Sequence, residues 1–137
     1  MTAMEGYYGR PGVGEADVEA VRAIYAAFAE RDIESALAHV AEDIVFEPSG
    51  TARLLGRTDP YRGHAGLREY FADAGRVWEE LTLHAEDVRA ALGSVVVFGR
   101  AEGRVDGEPV RRSVVWTWRL RDGKAVWMRA NDVGPRP

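Results

Sequence analysis

The sequence predicts an α+β domain in which helices cover one face of a curved antiparallel sheet. Between Val18 and Trp78, apolar residues recur at intervals of three and four, which is typical of amphipathic helices. After Leu81 the pattern changes to alternation of apolar and polar residues, interrupted by short turns that contain glycine. Helices that precede a run of consecutive strands indicate two segregated layers.

Two helices in tandem are predicted at the start of the domain. The first begins near Glu15 and runs for about four turns. Its apolar stripe consists of Val18, Val21, Ile24, Tyr25 and Phe28. Arg31 and Asp32 interrupt this pattern, and an aspartate at such a break can cap a second helix. The second, short helix is predicted to bury Ala36, Leu37 and Val40.

A short strand, a loop and a third helix are predicted next. Residues 44–46 are β-branched or aromatic and favour a strand, which Pro48 and Gly50 would end. The segment from there to Gly63 is predicted to be a loop, and long loops in compact domains are often functional. The third helix has a broad aromatic stripe of Leu67, Tyr70, Phe71, Ala74, Val77 and Trp78.

Four consecutive strands are predicted over residues 81–92, 94–105, 110–121 and 124–132. Turns at Gly93, Asp106-Gly107 and Asp122-Gly123 join them into a meander. In the third of these strands, Val114, Trp116, Trp118 and Leu120 share one face, because side chains alternate across a pleat. This large apolar face must be covered by helices, by a ligand or by another subunit.

Length and composition restrict the classes of function. The 137 residues fit one domain, residues 15–132, between a flexible segment 1–14 and a short tail 133–137. The absence of cysteine excludes disulfides, thiolate catalysis and cysteine-ligated metals. A net charge of −4 repels a phosphate backbone, so we expect no nucleic-acid partner. Without an apolar run of roughly 20 residues or a signal sequence, a cytoplasmic protein with no membrane partner is expected.

Four short motifs follow one another in a characteristic order. They are Asp32-Ile33-Glu34, Phe46-Glu47-Pro48, Tyr61-Arg62-Gly63-His64-Ala65-Gly66-Leu67 and Arg121-Asp122-Gly123-Lys124. With the order of elements, they resemble the nuclear-transport-factor-2-like superfamily and, within it, the SnoaL-like domains. The resemblance covers about residues 15–132. It implies a cystatin-like cone, in which a curved antiparallel sheet wraps around three N-terminal helices and leaves a pocket, and a homodimer formed through the outer sheet face.

The resemblance also separates the side chains of the last hairpin into two sets. Trp116, Trp118, Met128, Ala130 and Asp132 would face the pocket, whereas Thr117, Arg119, Trp127, Arg129 and Asn131 would face outward. The first set is the more apolar, as the alternation alone predicts. The predicted ligand-binding residues are Tyr25, Phe28, Tyr61, Trp78, Trp116, Trp118 and Met128. For Phe28, a place in the core between helix and sheet is the favoured alternative.

Three residues are candidates for proton transfer. Glu47 precedes Pro48 and resembles the base in the catalytic Asp-Pro-x-Gly of ketosteroid isomerases, and an apolar pocket would raise its pKa. Asp132 ends the last strand and is a candidate second carboxylate. His64 opens the third helix near the expected pocket rim. The alternatives are a solvated loop acid for Glu47, an exposed strand-end acid for Asp132 and a helix-terminal polar group for His64.

The chain lacks several catalytic side chains that related enzymes carry. Ile24 and Trp116 align with the oxyanion-hole tyrosine and aspartate of the isomerases, and Ala130 with an aspartate of limonene epoxide hydrolases. The histidines have no metal-ligand spacing, so neither a metal nor an organic cofactor is predicted.

We therefore expect a cofactor-independent isomerase, cyclase or dehydratase acting on a small hydrophobic, aromatic or polycyclic molecule. The missing oxyanion donors argue against ketosteroid isomerisation. The alternatives are a non-catalytic module of the same fold that binds a ligand or dimerises, and a structural dimer whose pocket is filled by its own side chains.

Overall fold

The computed structural model describes residues 13–133, which form four helices and one six-stranded sheet. In chain order these are α1 (Val13–Ala29), α2 (Ile33–Leu37), β1 (Val40–Glu47), α3 (Ser49–Leu55), β2 (Tyr61–Arg62), α4 (Gly63–Val77), β3 (Glu79–Ala91), β4 (Ser94–Val105), β5 (Glu108–Arg121) and β6 (Lys124–Asp132). The predicted flexible segment 1–14 lies outside the described residues except for 13 and 14, which belong to α1. The predicted tail 133–137 lies outside them except for Val133.

The sheet has the strand order β2-β1-β6-β5-β4-β3. Strands β3 to β6 pair as the predicted antiparallel meander, which confirms the α+β class. The first strand differs from the expectation of a wholly antiparallel sheet, because β1 pairs in parallel with β6 and places Phe46 opposite Met128. The long connection between these two strands permits the parallel arrangement.

The three hairpin connections are two-residue turns at the predicted positions. Both residues have positive φ angles in Leu92-Gly93 (46° and 83°), Asp106-Gly107 (53° and 79°) and Asp122-Gly123 (53° and 79°). These angles are typical of type I′ turns, whose backbone twist matches that of the flanking strands. The turns fix the register, so that Arg121 pairs with Lys124.

The core lies between the helices and the inner face of the sheet. In β5, Trp116 and Trp118 are buried, whereas Arg119 and Arg121 are exposed, which confirms the predicted alternation. Each tryptophan buries on the order of 200 Å², and this contributes about 5 kcal/mol of transfer free energy. The core residues that α1 and α4 contribute include Val21, Ile24, Phe28, Leu67 and Tyr70.

The segment after β1 departs from the predicted secondary structure. It was predicted to be a loop, but Ser49–Leu55 form α3, which ends before Gly56 at a φ of 68°. Local propensity is divided here, because serine, glycine and threonine in its first half are weak helix formers, whereas Ala52, Arg53, Leu54 and Leu55 are strong ones. Burial of Thr51 shows that tertiary packing stabilises it. Strand β1 is also longer than predicted, since an irregularity between Val40 and Val45 hides its alternation.

The predicted capping of α2 is confirmed. The Asp32 carboxylate accepts hydrogen bonds from the Ser35 backbone N–H at 3.1 Å and the Ser35 hydroxyl at 2.6 Å. These bonds lower the pKa of Asp32. Among residues 13–133, no helix is long and apolar enough to cross a membrane.

The outer face of the sheet is the face turned away from the helices. Trp127 is half-buried there, and the Arg119 guanidinium lies 5.0 Å from the centre of its ring. A positive charge above an aromatic face is a favourable contact that also shields the ring from water. The homodimer through this face stays a prediction.

Replacing Gly99 with alanine is expected to destabilise the fold strongly. A Cβ atom at this position in β4 would lie 1.8 Å from the carbonyl oxygen of His84 in β3. The strands would have to separate where their register already shifts, between Ala85 and Asp87. We expect Gly99→Ala to lower the free energy of unfolding by at least about 2 kcal/mol, measured by urea denaturation.

Gly75 provides the matched control. A Cβ atom there meets no atom within 4 Å, and the residue lies within α4. Alanine is favoured over glycine in helices by about 0.5–1 kcal/mol, so Gly75→Ala should raise the free energy of unfolding. A Gly99→Ala protein as stable as the unsubstituted one would contradict the pairing of β3 with β4.

Candidate functional site

Two adjoining cavities lie between the helices and the inner face of the sheet. The large cavity has a volume of about 350 Å³ and is bordered by the end of α1, by α4 and by the start of β3. The small cavity, of about 60 Å³, reaches past α3 to β1, β5 and β6. The residues that line both are Tyr25, Phe28, Tyr70, Trp78, Leu81 and Leu83. The two cavities therefore share part of their walls.

Most of the predicted ligand-binding residues line the small cavity. They are Tyr25, Phe28, Trp78, Trp116, Trp118 and Met128. The ring centre of Tyr25 lies 5.4 Å from that of Trp116 and 5.9 Å from that of Trp118, in edge-to-face geometry. Such contacts are favourable and hold each ring in place, so this wall is rigid and aromatic.

Tyr25 provides a hydroxyl group in both cavities. Its oxygen accepts a hydrogen bond from the Trp118 indole Nε1 at 3.2 Å, which leaves its own O–H free to donate. Burial raises the pKa of Tyr25 well above its ordinary value of about 10, and the bond from Trp118 only partly opposes this rise. The hydroxyl therefore stays protonated at physiological pH.

Tyr25, and not the neighbouring Ile24, lines the cavities. The alignment made from the sequence placed Ile24 where isomerases carry the oxyanion tyrosine, but Ile24 is wholly buried in the core. Adjacent helical residues differ by about 100° in direction, so an offset of one residue decides which side chain faces the cavity. Tyr25, which the sequence predicts as a ligand-binding residue, thus supplies a hydroxyl donor one position after Ile24.

Thr51 joins α3 to the aromatic wall. Its Oγ1 accepts a hydrogen bond from the Trp78 Nε1 at 3.0 Å, and its hydroxyl also bonds Tyr70. Burial raises the pKa of Tyr70, and the bond with Thr51 opposes this rise. The sequence did not single out Thr51, because the segment that carries it was predicted to be a loop.

Asp132 lies at the edge of the small cavity, as predicted. Its Oδ2 is 3.5 Å from the Arg112 Nε and 3.6 Å from the Arg53 Nη1, and about 20% of its side chain is exposed. Among the described residues that line this cavity, Asp132 alone carries a carboxylate. The cavity thus combines an aromatic wall, a neutral hydroxyl donor and one carboxylate held by arginines.

The predicted position of Glu47 in the pocket is wrong. Its Oε2 accepts a hydrogen bond from the Trp127 Nε1 at 3.1 Å, and its Oε1 accepts one from the Arg129 Nη2 at 3.4 Å. Both partners lie on the outer face. The physical reason is the alternation of β1, in which Phe46 points into the core and is 1% exposed, so its neighbour points outward. The two candidate carboxylates, Glu47 and Asp132, therefore do not lie in the same cavity.

His64 and Tyr61 line neither cavity, contrary to the expectation. The His64 Nε2 lies 2.8 Å from the carbonyl oxygen of Val40, so the ring ties α4 to β1. The wholly buried Tyr61 donates a hydrogen bond to the Asp73 Oδ2 at 2.8 Å, and burial raises its pKa. These contacts give both side chains a role in joining elements. Within residues 13–133, no three potential metal-binding side chains come together.

The large cavity contains residues that the sequence pattern did not indicate. Arg31, Glu80 and Thr82 border it beside the aromatic residues of α1 and α4. Arg31 follows the end of α1 with a φ of 57°, and its Nη2 donates a hydrogen bond to the carbonyl oxygen of Leu81 at 2.6 Å. In the sequence, Arg31 only marked the break between two helices.

Known proteins share this fold over most of the chain. The model of the SnoaL-like domain family matches residues 21–128. TerC, co-crystallised with polyporic acid, is 30% identical, with a TM-score of 0.77 over 85% of this chain and 91% of TerC.

Two more distant structures share the fold. An NTF2-like protein of unknown function from Burkholderia pseudomallei is 22% identical, with a TM-score of 0.77 over 85% of this chain and 90% of that one. An LEH-like epoxide hydrolase from M. tuberculosis is 16% identical, with a TM-score of 0.70 over 87% of this chain and 84% of the hydrolase. No curated protein matches the chain in sequence.

Removing the hydroxyl of Thr51 is expected to destabilise the cavity wall. Thr51→Val keeps the shape of the side chain but leaves the Trp78 indole N–H without its acceptor. We expect this to lower the free energy of unfolding by about 1–3 kcal/mol, measured by urea denaturation. Thr51→Ser is the control, because it retains the hydroxyl and should cost no more than about 1 kcal/mol. Equal stability of the two variants would contradict the hydrogen bond.

Alkaline pH is expected to destabilise the fold through the cavity tyrosines. Burial raises the pKa of Tyr25 and of Tyr70, whereas in the unfolded chain both ionise near pH 10. Their contribution to stability is therefore complete below about pH 10 and is lost as the pH rises toward the folded-state pKa values. Lysines interfere little because Lys124 is the only one in the sequence, whereas the buried Tyr61, whose pKa is also raised, contributes to the same loss and stays unchanged in the comparison.

Urea denaturation between about pH 8 and pH 11.5 measures this effect. The free energy of unfolding should fall above about pH 10, and the fall should be shallower in a Tyr25→Phe, Tyr70→Phe double variant. A double variant whose stability falls as steeply as that of the unsubstituted protein would show that these hydroxyls do not cause the loss.

Proposed function

Since the chain belongs to the SnoaL-like domain family, we propose that it binds a small aromatic molecule in the two cavities and catalyses a proton transfer on it without a cofactor. The observation that carries this proposal is the presence of one carboxylate and one protonated hydroxyl beside an aromatic wall. Asp132 supplies the carboxylate, and Tyr25 supplies the hydroxyl. Carboxylates and neutral donors are the groups that proton abstraction next to a carbonyl requires.

The size and lining of the cavities support a small organic ligand. The large cavity, at about 350 Å³, falls within the usual range of ligand sites, which is roughly 300–1,000 Å³. The small cavity, at about 60 Å³, extends it toward the tryptophans of β5. TerC was co-crystallised with polyporic acid, which supports a small organic molecule as the class of ligand.

In the proposed reaction, Asp132 accepts a proton from a carbon atom next to a carbonyl group of the ligand. The electrons of the broken C–H bond move onto the carbonyl oxygen, and the Tyr25 hydroxyl donates a hydrogen bond to the resulting enolate. Where a C=C bond lies next to the deprotonated carbon, the enolate is conjugated with it. Asp132 then returns the proton to the far carbon of that bond, and the C=C bond shifts to the carbon beside the carbonyl group. The net reaction is an isomerisation, and no electrons or further reactants are exchanged.

The two arginines near Asp132 give the carboxylate a fixed direction. Arg112 and Arg53 both approach its Oδ2, and the first of them also lines the small cavity. A catalytic group that is already held in position lowers the entropic part of the activation barrier. General bases in such positions accelerate proton transfer by about 10²–10⁴-fold.

Ligand binding without turnover is a second candidate function. The same pair of arginines favours it. Both guanidinium groups lie within 3.6 Å of the Oδ2 atom of Asp132, so this oxygen already has two ion-pair partners. An oxygen atom with two guanidinium groups beside it leaves less room for a substrate C–H group to approach. The two candidates therefore differ in whether Asp132 moves a proton once the ligand is bound.

Deuterium exchange on 2-tetralone tests for the proton transfer. This small aromatic ketone carries acidic C–H groups beside its carbonyl, and NMR in D₂O follows their replacement by deuterium. The protein should accelerate the exchange, Asp132→Asn should reduce the acceleration by at least about 100-fold, and Tyr25→Phe by about 10–100-fold. Quenching of tryptophan fluorescence measures binding of the ketone in each variant.

Glu47→Gln is the matched control for this experiment. Its carboxylate lies on the outer face, so this variant should exchange deuterium as fast as the unsubstituted protein. Exchange that is lost in Glu47→Gln and retained in Asp132→Asn would contradict the assignment of the base. Binding of the ketone without any accelerated exchange would support the non-catalytic function.

A further inference from the structure

Two arginines line the cavities, and they differ in their charge partners. Arg112 borders the small cavity and forms an ion pair with Asp132 at 3.5 Å. Arg31 borders the large cavity, and among residues 13–133 no carboxylate forms an ion pair with it. Glu80, the one acidic residue on this lining, is 3.7 Å from the Arg104 Nε instead. Within the described part of the chain, Arg31 is therefore the cavity-lining cation that has no carboxylate partner.

We propose that the site takes an aromatic acid and that Arg31 binds its anionic group, a carboxylate or another acidic oxygen, in the large cavity. This inference rests on the proposed function, because it assumes that the cavities bind a ligand. It adds the chemical class of the ligand and places the charged end of the ligand in the large cavity. The aromatic part would then extend toward the small cavity.

The side chain of Arg31 is held in place before any ligand arrives. Its Nη2 donates to the carbonyl oxygen of Leu81 at 2.6 Å and so links the end of α1 to β3. A guanidinium has five N–H donors, so this bond leaves others to bind an anion. A cation that is already fixed loses less side-chain entropy on binding than a free one, and the planar fork suits a carboxylate.

The surroundings of Arg31 combine this charge with aromatic surface and neutral donors. Phe28 and Phe71 border the same cavity, and their ring centres are 5.1 Å apart in edge-to-face geometry. Tyr70 also lines it, and the Arg31 charge opposes the rise that burial causes in the pKa of Tyr70. The field of the guanidinium thus reaches the interior of the cavity, beside rings that can contact an aromatic ligand.

Isothermal titration calorimetry with two probes tests this inference. The probes are biphenyl-4-carboxylate and the neutral biphenyl-4-carboxamide, which share one shape and differ in charge. At pH 7 and low salt, the unsubstituted protein should bind the carboxylate at least about tenfold more tightly than the amide. Raising the NaCl concentration from 0.05 to 0.5 M should shrink this preference, because salt screens charges at a partly exposed site.

Substitution of Arg31 should remove the preference. Arg31→Gln is expected to weaken binding of the carboxylate about tenfold and to leave binding of the amide unchanged. Arg31→Gly is the second variant. Glycine adopts the φ of 57° without strain, so this variant should stay folded even if Arg31→Gln does not. Arg22→Gln, at an exposed position of α1, is the control and should bind both probes as the unsubstituted protein does.

The outcomes separate this inference from the proposed function. Equal affinity of the unsubstituted protein for both probes would overturn the role of Arg31, while the binding function would stand. Failure of both probes to bind would overturn the binding function and this inference together. A carboxylate preference that survives in folded Arg31→Gln and Arg31→Gly would also overturn the inference, because another group would then supply the charge.

Discussion

The pairing of β6 with both of its neighbours determines which side chains meet inside the protein. Trp118 pairs with Met128 across β5 and β6, and Phe46 pairs with Met128 across β1 and β6. Because side chains alternate along each strand, these pairs place the apolar members of three strands on one face. The same register sets Glu47 beside Arg129 on the opposite face. The composition of the cavity and the exclusion of Glu47 from it thus have one cause.

The sequence was sufficient to predict features that depend on short-range patterns. The alternation in β5, the turn at Asp122-Gly123 and the cap at Asp32 are each determined by residues within a few positions, and the structure confirms them. The direction of Glu47 was mispredicted because the resemblance to the isomerase motif was followed. Alternation from Phe46 places Glu47 outside, and the pairing of β1 with β6 is what sets Phe46 on the inner face. The neighbouring α3 was missed because its formation relies on buried packing of Thr51.

The candidate site was partly predictable for the same reason. Aromatic residues that alternate along a strand, such as Trp116 and Trp118, can be assigned to a face without knowledge of the fold. The roles of Tyr25 and Arg31 depend on how α1 is rotated and where it ends against β3, and both are set by tertiary contacts. Sequence therefore predicted the wall of the cavity better than its polar groups, which lie where elements meet.

The parallel pairing of β1 also has a consequence for how the chain folds. Val45 and its partner Trp127 are separated by most of the length of the domain. During synthesis, β1 and the helices around it are completed long before β6 emerges, so their apolar faces stay exposed to water during that time. Contacts of such long range slow folding, and exposed strand edges favour association between unfinished chains. Among the described strands, β6 is thus made last and joins β1 to β5, and the cavity has no complete wall until β6 docks.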